Sequence, residues 1–223
     1  MTKNEQEIIA AYHSFLNDKD FPCIGAKTAL AREQIYTMVA GGMNCPSFDG
    51  KILEFIYDSI GKFKKIDNNF YSAAVIFTGP LTITEEIFEQ LLWQKLQSLL
   101  DLDALHYPYN KKVSNDPKSV FFSLSLKEET FFIIGLHPDS SRKARRFIFP
   151  ALVFNPTDQF VKLKQSDKFE KLKHTIRKRD MAFSGSVNPM LGDYGSTSEI
   201  LQYSGKGYDS NFVCPLKINH DTI

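Results

Sequence analysis

The sequence predicts one α+β domain over residues 1–223, with a mainly antiparallel sheet of about four or more strands and helices packed around it. Three observations lead there. The 223 residues are 43% hydrophobic, enough for a single large core. Helix-like and strand-like segments alternate without a strict βαβ order. Internal repeats and low-complexity linkers are absent from the sequence, so a division into separate domains is not indicated.

Apolar residues recur at helical spacing in several segments. The predicted helices are 4–16, 26–39 with a stop at Gly41-Gly42, one that Asp49 caps and that reaches residue 60, one that begins at Thr84, 167–178 and a short one at 198–203. Thr84 gives the clearest start, because two glutamates follow it in the first turn.

Aromatic and β-branched runs bounded by turn residues predict four strands. They are 71–77 after the Asn68-Asn69 turn, 120–124, 130–134 and 151–154, with the middle two joined as a hairpin through residues 127–129. Polar, proline-containing residues 107–117 predict a loop. A second long loop, rich in Gly, Ser and Asn, is expected from about residue 180 to 197.

Composition excludes several classes of function. The net charge is +1, and the basic run 162–179 reads as the solvated side of an amphipathic helix, so nucleic-acid binding is not favoured. Hydrolase and nucleotide-binding motifs are missing. The three cysteines, widely spaced, indicate thiols in a reducing compartment. Without an apolar signal segment or a run long enough to span a membrane, we expect a cytoplasmic protein.

The stretch 131–155 combines two apolar strands with a histidine and several cations. His137 follows a buried strand and stands between Gly135 and Pro138. Four basic residues come next, namely Arg142, Lys143, Arg145 and Arg146. Cations between two core strands need partners, so the pattern predicts an anionic ligand beside an imidazole.

Four blocks of sequence resemble the YqcI/YcgG family. They are FPCIGAKTALAR (21–32), GLHPDSSRKARRFIFPALVFNPTDQF (135–160), TIRKRDMAFSGSVNPML (175–191) and LQYSGK (201–206). Most members have no assigned function, and some are haem-dependent N-hydroxylases of guanidino groups. The resemblance therefore implies haem, and a monooxygenase acting on a small guanidino or amino compound.

A haem site needs an axial ligand, apolar walls and cations for two propionates. On this hypothesis His137 is the metal ligand, and Arg142, Arg145 and Arg146 pair with the propionates. The expected walls are Phe131, Phe132, Phe147 and Phe149. The alternative is a strand-end histidine bonded to backbone, with the arginines on a solvated surface.

Cys23 is the rival ligand, because it precedes a helix start, where the pKa of a thiol can fall. Lys27 lies in the same family block and is a further cofactor-binding candidate. Its other interpretation is a small buried hydrophobe. Gln202, Tyr203 and Ser204 are candidates for contacting substrate or iron-bound oxygen, as are the hydroxyls and amides of 184–189. Turn formation would equally explain these residues.

Two other functions stay open. One is a non-catalytic protein that binds haem or another ligand. The other is a non-haem iron oxygenase, whose ligands would be His137, Asp139 and a second histidine, either His106 or His174. The sequence does not identify the substrate or the electron donor, and a homodimer is compatible with it.

Overall fold

The structure is a computed structural model that describes residues 1–66, 70–164, 169–186 and 197–220. The helices there are α1 (Lys3–Asn17), α2 (Ile24–Ala31), α3 (Asp49–Phe63), α4 (Glu85–Asp103), α5 (Asp158–Lys164) and α6 (Phe169–Ser184). The strands are β1 (Ile35–Gly42), β2 (Ser72–Gly79), β3 (Leu124–Leu126), β4 (Glu129–Leu136) and β5 (Ala151–Pro156). The predicted α+β class is confirmed.

The five strands form one mixed sheet in the order β1-β2-β5-β4-β3. β1 and β2 are parallel, and the other neighbours are antiparallel. A hairpin forms at the predicted place from β3 and β4, and Lys127 and Glu128 both adopt positive φ angles at its turn. Its first strand is Leu124–Leu126, so the predicted strand 120–124 is wrong before residue 124. The sheet is therefore mainly antiparallel, as expected, with one parallel pair at its β1 edge.

Each face of the sheet carries its own core, because side chains alternate between the faces along a strand. In β2, Ala73, Val75 and Phe77 belong to the core that contains α3 and α4. Ala74 and Ile76 belong to the core that contains α1 and α2. We call these the α3/α4 core and the α1/α2 core.

The predicted helix 26–39 is wrong beyond residue 31. α2 ends at Ala31, Glu33 takes a positive φ of 55°, and β1 begins at Ile35. Ile35, Thr37 and Val39 are β-branched and favour a strand. Pairing with β2, which lies far along the chain, decides the outcome.

Helix starts were predicted more accurately than helix lengths. Thr84 is the N-cap of α4, and its hydroxyl accepts a hydrogen bond from the Ile87 backbone N–H. α3 forms where expected, but Asp49 is its first residue and does not cap it. Instead the Asp49 carboxylate is buried and pairs with the ammonium group of Lys95 on α4.

The later chain is more helical than predicted. α5 was not predicted, and α6 continues through Ser184, into the expected loop. The short helix predicted at 198–203 is present as a 3₁₀ turn, Glu199–Gln202. The Asn68-Asn69 turn, the predicted helix start at Asp167 and most of the 180–197 loop lie outside the described residues. None of the described helices is long and apolar enough to cross a membrane.

Candidate functional site

His137 is the first residue after β4 and opens the turn that leads to β5. Its backbone N–H donates to the carbonyl of Arg145 at 3.0 Å, which closes the turn. Like Phe131 and Ile133 earlier in β4, it faces the α3/α4 core, where its imidazole stacks on Phe88 with centroids 4.3 Å apart and planes at 22°. The strand end thus delivers an imidazole into an apolar core.

Gly135 permits this close approach of α4 to β4. A Cβ atom at this position would lie 2.7 Å from Cε1 of Phe88, so a larger residue would push the helix away. Phe88 lies three positions after Glu85, on the same side of α4. The Glu85 carboxylate accepts hydrogen bonds from the Ser141 backbone N–H at 3.0 Å and from its hydroxyl at 2.8 Å. The first turns of α4 therefore contact both the turn after β4, through Glu85, and the His137 ring, through Phe88.

The imidazole of His137 is fully buried, and within the described chain neither of its nitrogens has a hydrogen-bond partner. Burial lowers its pKa, and the negative charges of Glu85 and Asp139 offset this only in part. The ring is therefore neutral at physiological pH and keeps one nitrogen lone pair. A buried polar atom without a partner costs about 1–3 kcal/mol, which a bound metal or donor would recover.

Arg145 is the most deeply buried of the three candidate arginines. Its guanidinium donates to the carbonyls of Gly135 at 3.0 Å, Gln202 at 3.0 Å and Tyr203 at 3.4 Å. Burial lowers its pKa to about 10, so it stays charged at neutral pH. Its hydrogen bonds tie the end of β4 to the segment after the 3₁₀ turn, a structural role that was not predicted.

The other two arginines also bond to the chain itself. Arg142 pairs with Asp180 of α6 at 2.6 Å and bonds to Ser186. Arg146 donates to the carbonyl of Ser140 at 2.6 Å and lies exposed. These arginines therefore do not require an anionic ligand, as the sequence had suggested, because the chain itself supplies their acceptors. Arg146 is the most exposed of the three.

Cys23 belongs to the other face of the sheet. It is the N-cap of α2, with Sγ 3.4 Å from the Ala26 backbone nitrogen, and it packs against the α1/α2 core. Burial raises its pKa, although the charge of Arg145 acts in the opposite direction. The predicted lowering of this thiol's pKa is wrong, because desolvation outweighs the helix start. Lys27 donates to the carbonyl of Asp18.

The hydroxyls of the 202–204 segment are committed to protein partners. Tyr203 is fully buried and donates to Glu199 Oε1 at 2.6 Å. The Ser204 hydroxyl lies 2.7 Å from that of Tyr208. Gln202 reaches the site through its backbone carbonyl, which Arg145 binds. The segment therefore supports the turn through its backbone.

The expected aromatic walls divide between the two cores. Phe131 packs in the α3/α4 core, with Phe132 at its margin, whereas Phe147 and Phe149 join the α1/α2 core. They do not surround one space, so that part of the hypothesis is wrong. Phe88 is the aromatic neighbour of His137, and the sequence analysis did not single it out. The sequence did place Phe88 four residues after Thr84, the cap of α4, and therefore in the first turns of that helix.

The described residues contain no group of three or more His, Cys, Asp or Glu side chains arranged to hold a metal ion. His106 and His174 are exposed, and so is Asp139. The facial triad considered from the sequence therefore has no counterpart in this part of the chain.

A family model, that of the YqcI/YcgG family, matches residues 12–217, nearly the whole chain. No curated protein and no solved structure matches the chain.

Proposed function

Because the chain belongs to the YqcI/YcgG family, we propose that it is a haem-dependent monooxygenase that hydroxylates a nitrogen of a small guanidino or amino compound. The observation that carries the proposal is the buried imidazole of His137, whose two nitrogens have no hydrogen-bond partner within the described chain. A histidine that would hold haem iron needs a nitrogen with an available lone pair on an ordered element.

The residues near His137 fit a haem in their chemistry. Phe88 covers one face of the imidazole and forms no hydrogen bond with its nitrogens, so the stack would orient His137 as a ligand and leave its lone pair available. The pKa of His137 is lowered by burial, which keeps its lone pair free at neutral pH. Of the three candidate arginines, the exposed Arg146 is the best placed to pair with a propionate.

Arg142 and Arg145 act as positioning residues in this proposal. Arg145 fixes the backbone on both sides of the turn, and Arg142 ties the turn to α6 through Asp180. Both are bonded to the chain, so haem binding need not recruit them. Since His137 has no exposed surface, haem binding would require side chains around its ring to move.

Bound haem would supply the activation of dioxygen. In the overall reaction an N–H bond of the substrate would become N–OH, and the second oxygen atom would leave as water. An external reductant would give two electrons and the solvent two protons. The identity of that reductant, and of the substrate, would come from assay. A carboxylate to hold a cationic substrate is not assigned among the described residues.

A haem-binding protein without catalysis is the second candidate. It is favoured by one observation, the commitment of the Tyr203 and Ser204 hydroxyls to protein partners. The buried Tyr203 cannot reach a substrate in the described arrangement, because it bonds to Glu199 and packs near Trp93.

The test is turnover by the full chain purified from cells fed iron and a haem precursor. With a chemical reductant and dioxygen, we expect arginine or another guanidine to gain one oxygen atom, measured by mass spectrometry. Arg146→Ala should weaken haem retention, whereas the matched control Arg32→Ala should not. Tight haem binding without product or oxygen consumption across a guanidine panel would favour the non-catalytic candidate. Absence of specific haem binding would reject both.

A further inference from the structure

A second buried histidine lies near the end of the chain, beyond the residues that the family model matches. His220 lines a cavity of about 220 Å³. The rest of the lining comes from the loop between Pro108 and Asn115, including Tyr109 and Lys111. None of these residues belongs to the His137 site.

Asp103 orients the His220 ring. The Nε2 atom of His220 lies 3.1 Å from Oδ2 of Asp103, and both side chains are almost fully buried. The other carboxylate oxygen, Oδ1, accepts the Tyr57 hydroxyl at 2.5 Å and the Lys127 backbone N–H at 2.9 Å. Burial raises the pKa of Tyr57, so its phenol remains a donor.

This arrangement determines which nitrogen of His220 carries the proton. An ionised carboxylate only accepts hydrogen bonds, so Nε2 must donate to Asp103. Nδ1 then carries the lone pair in the neutral ring. It is buried, and no residue of the described chain donates to it. The edge of the Tyr109 ring packs against the imidazole with centroids 5.2 Å apart and so limits its rotation.

We infer that this cavity binds a small anion that carries a hydroxyl group. The ligand hydroxyl would donate to Nδ1 of His220, and the exposed ammonium group of Lys111 would pair with the negative charge. When the ring is neutral and Nε2 donates to Asp103, Nδ1 can only accept, so an anion without a hydroxyl is then disfavoured. Hydrogen phosphate and small hydroxycarboxylates share the required chemistry.

The experiment compares two matched pairs of anions. Near pH 8, phosphate retains an O–H and sulfate has none, and glycolate differs from acetate by one hydroxyl. The ring nitrogens of the five histidines are followed by ¹⁵N NMR during each titration. For at least one pair, we expect the hydroxylated anion to cause saturable changes in the His220 chemical shifts. The anion of that pair without a hydroxyl should cause much smaller changes. The tighter binder of phosphate and glycolate shows whether the site prefers a phosphate or a hydroxycarboxylate.

Matched variants test the two contacts. Lys111→Ala should weaken binding roughly tenfold, as the loss of one charge-assisted hydrogen bond would. Lys112→Ala is the control, because Lys112 is exposed but does not line the cavity. His220→Phe keeps an aromatic ring and should abolish binding of the hydroxylated anion, measured by isothermal titration calorimetry because this variant has no His220 signal. Lys111→Ala remains informative if that variant does not fold.

Two results would overturn the inference. The first is no saturable change at His220 with either hydroxylated anion at tens of millimolar. The second is equal binding of both members of each pair, which would mean that Nδ1 does not select for a donor.

Discussion

Replacing His137 by Leu should stabilise the haem-free protein. Leucine is close in volume and removes two buried nitrogens that have no partner in the described chain. An unsatisfied buried polar group costs about 1–3 kcal/mol. The substitution also loses the stack on Phe88, which is worth about 0.5–1.5 kcal/mol. The difference is a net stabilisation of roughly 1 kcal/mol.

Urea unfolding of haem-free wild type and His137→Leu near pH 8 measures this difference through the midpoint and slope. His106→Leu is the matched control, because His106 is exposed and its substitution should change the free energy of unfolding by less than about 0.5 kcal/mol.

A loss of more than about 1 kcal/mol in His137→Leu would refute the reasoning. It would mean that water or another group satisfies the imidazole in solution. A gain in stability that accompanies loss of haem binding would instead mark His137 as a residue kept for binding at a cost in stability.

Three further predictions concern stability. Burial lowers the pKa of His137, so its ring takes up a proton when the protein unfolds below about pH 6.5. In urea unfolding down to about pH 5, the wild type should therefore lose at most about 1.4 kcal/mol of stability per pH unit, a steeper loss than in His137→Leu. Lys95→Met should cost about 3–5 kcal/mol by calorimetry, because it leaves the buried Asp49 carboxylate without its cation, and an unchanged midpoint would contradict that. Gly205→Ala should cost about 1–2 kcal/mol in the same assay, because φ is +86° and the new methyl would lie 3.3 Å from Cγ of Arg145.

Local patterns predicted much of the fold. Thr84 begins α4 because its hydroxyl caps the first turn, and the sequence shows both the cap and the acidic residues behind it. The β3–β4 hairpin was likewise visible from two adjacent apolar runs. β1 was not, because the mostly apolar residues 35–39 are compatible with a helix or a strand, and their partner strand, β2, begins about thirty residues after the end of β1.

The placement of His137 in the fold was predicted, but the contacts around it were not. His137 at the end of a buried strand followed from the sequence. The partner of Arg142 is Asp180, which no local spacing indicates. Nor does the sequence show that Cys23 and His137 join different cores, since that depends on the order of the strands and on which helices cover each face.

The same limit explains why His220 was passed over. It stands in a polar tail, and its only close ionic partner, among the described residues, is Asp103 at the far end of α4. A buried histidine is recognised by what surrounds it, and here the surroundings come from four separate parts of the chain.

The most direct test of the central claim is a haemin titration followed by visible absorption, with wild type, His137→Leu, Cys23→Ser and His106→Leu in parallel. The proposal predicts a Soret band that saturates at one haem per chain in wild type, Cys23→Ser and His106→Leu, and that is lost in His137→Leu. An unchanged Soret band in His137→Leu would contradict ligation by His137. If the band disappeared in Cys23→Ser instead, the ligand would lie in the α1/α2 core, on the opposite face of the sheet.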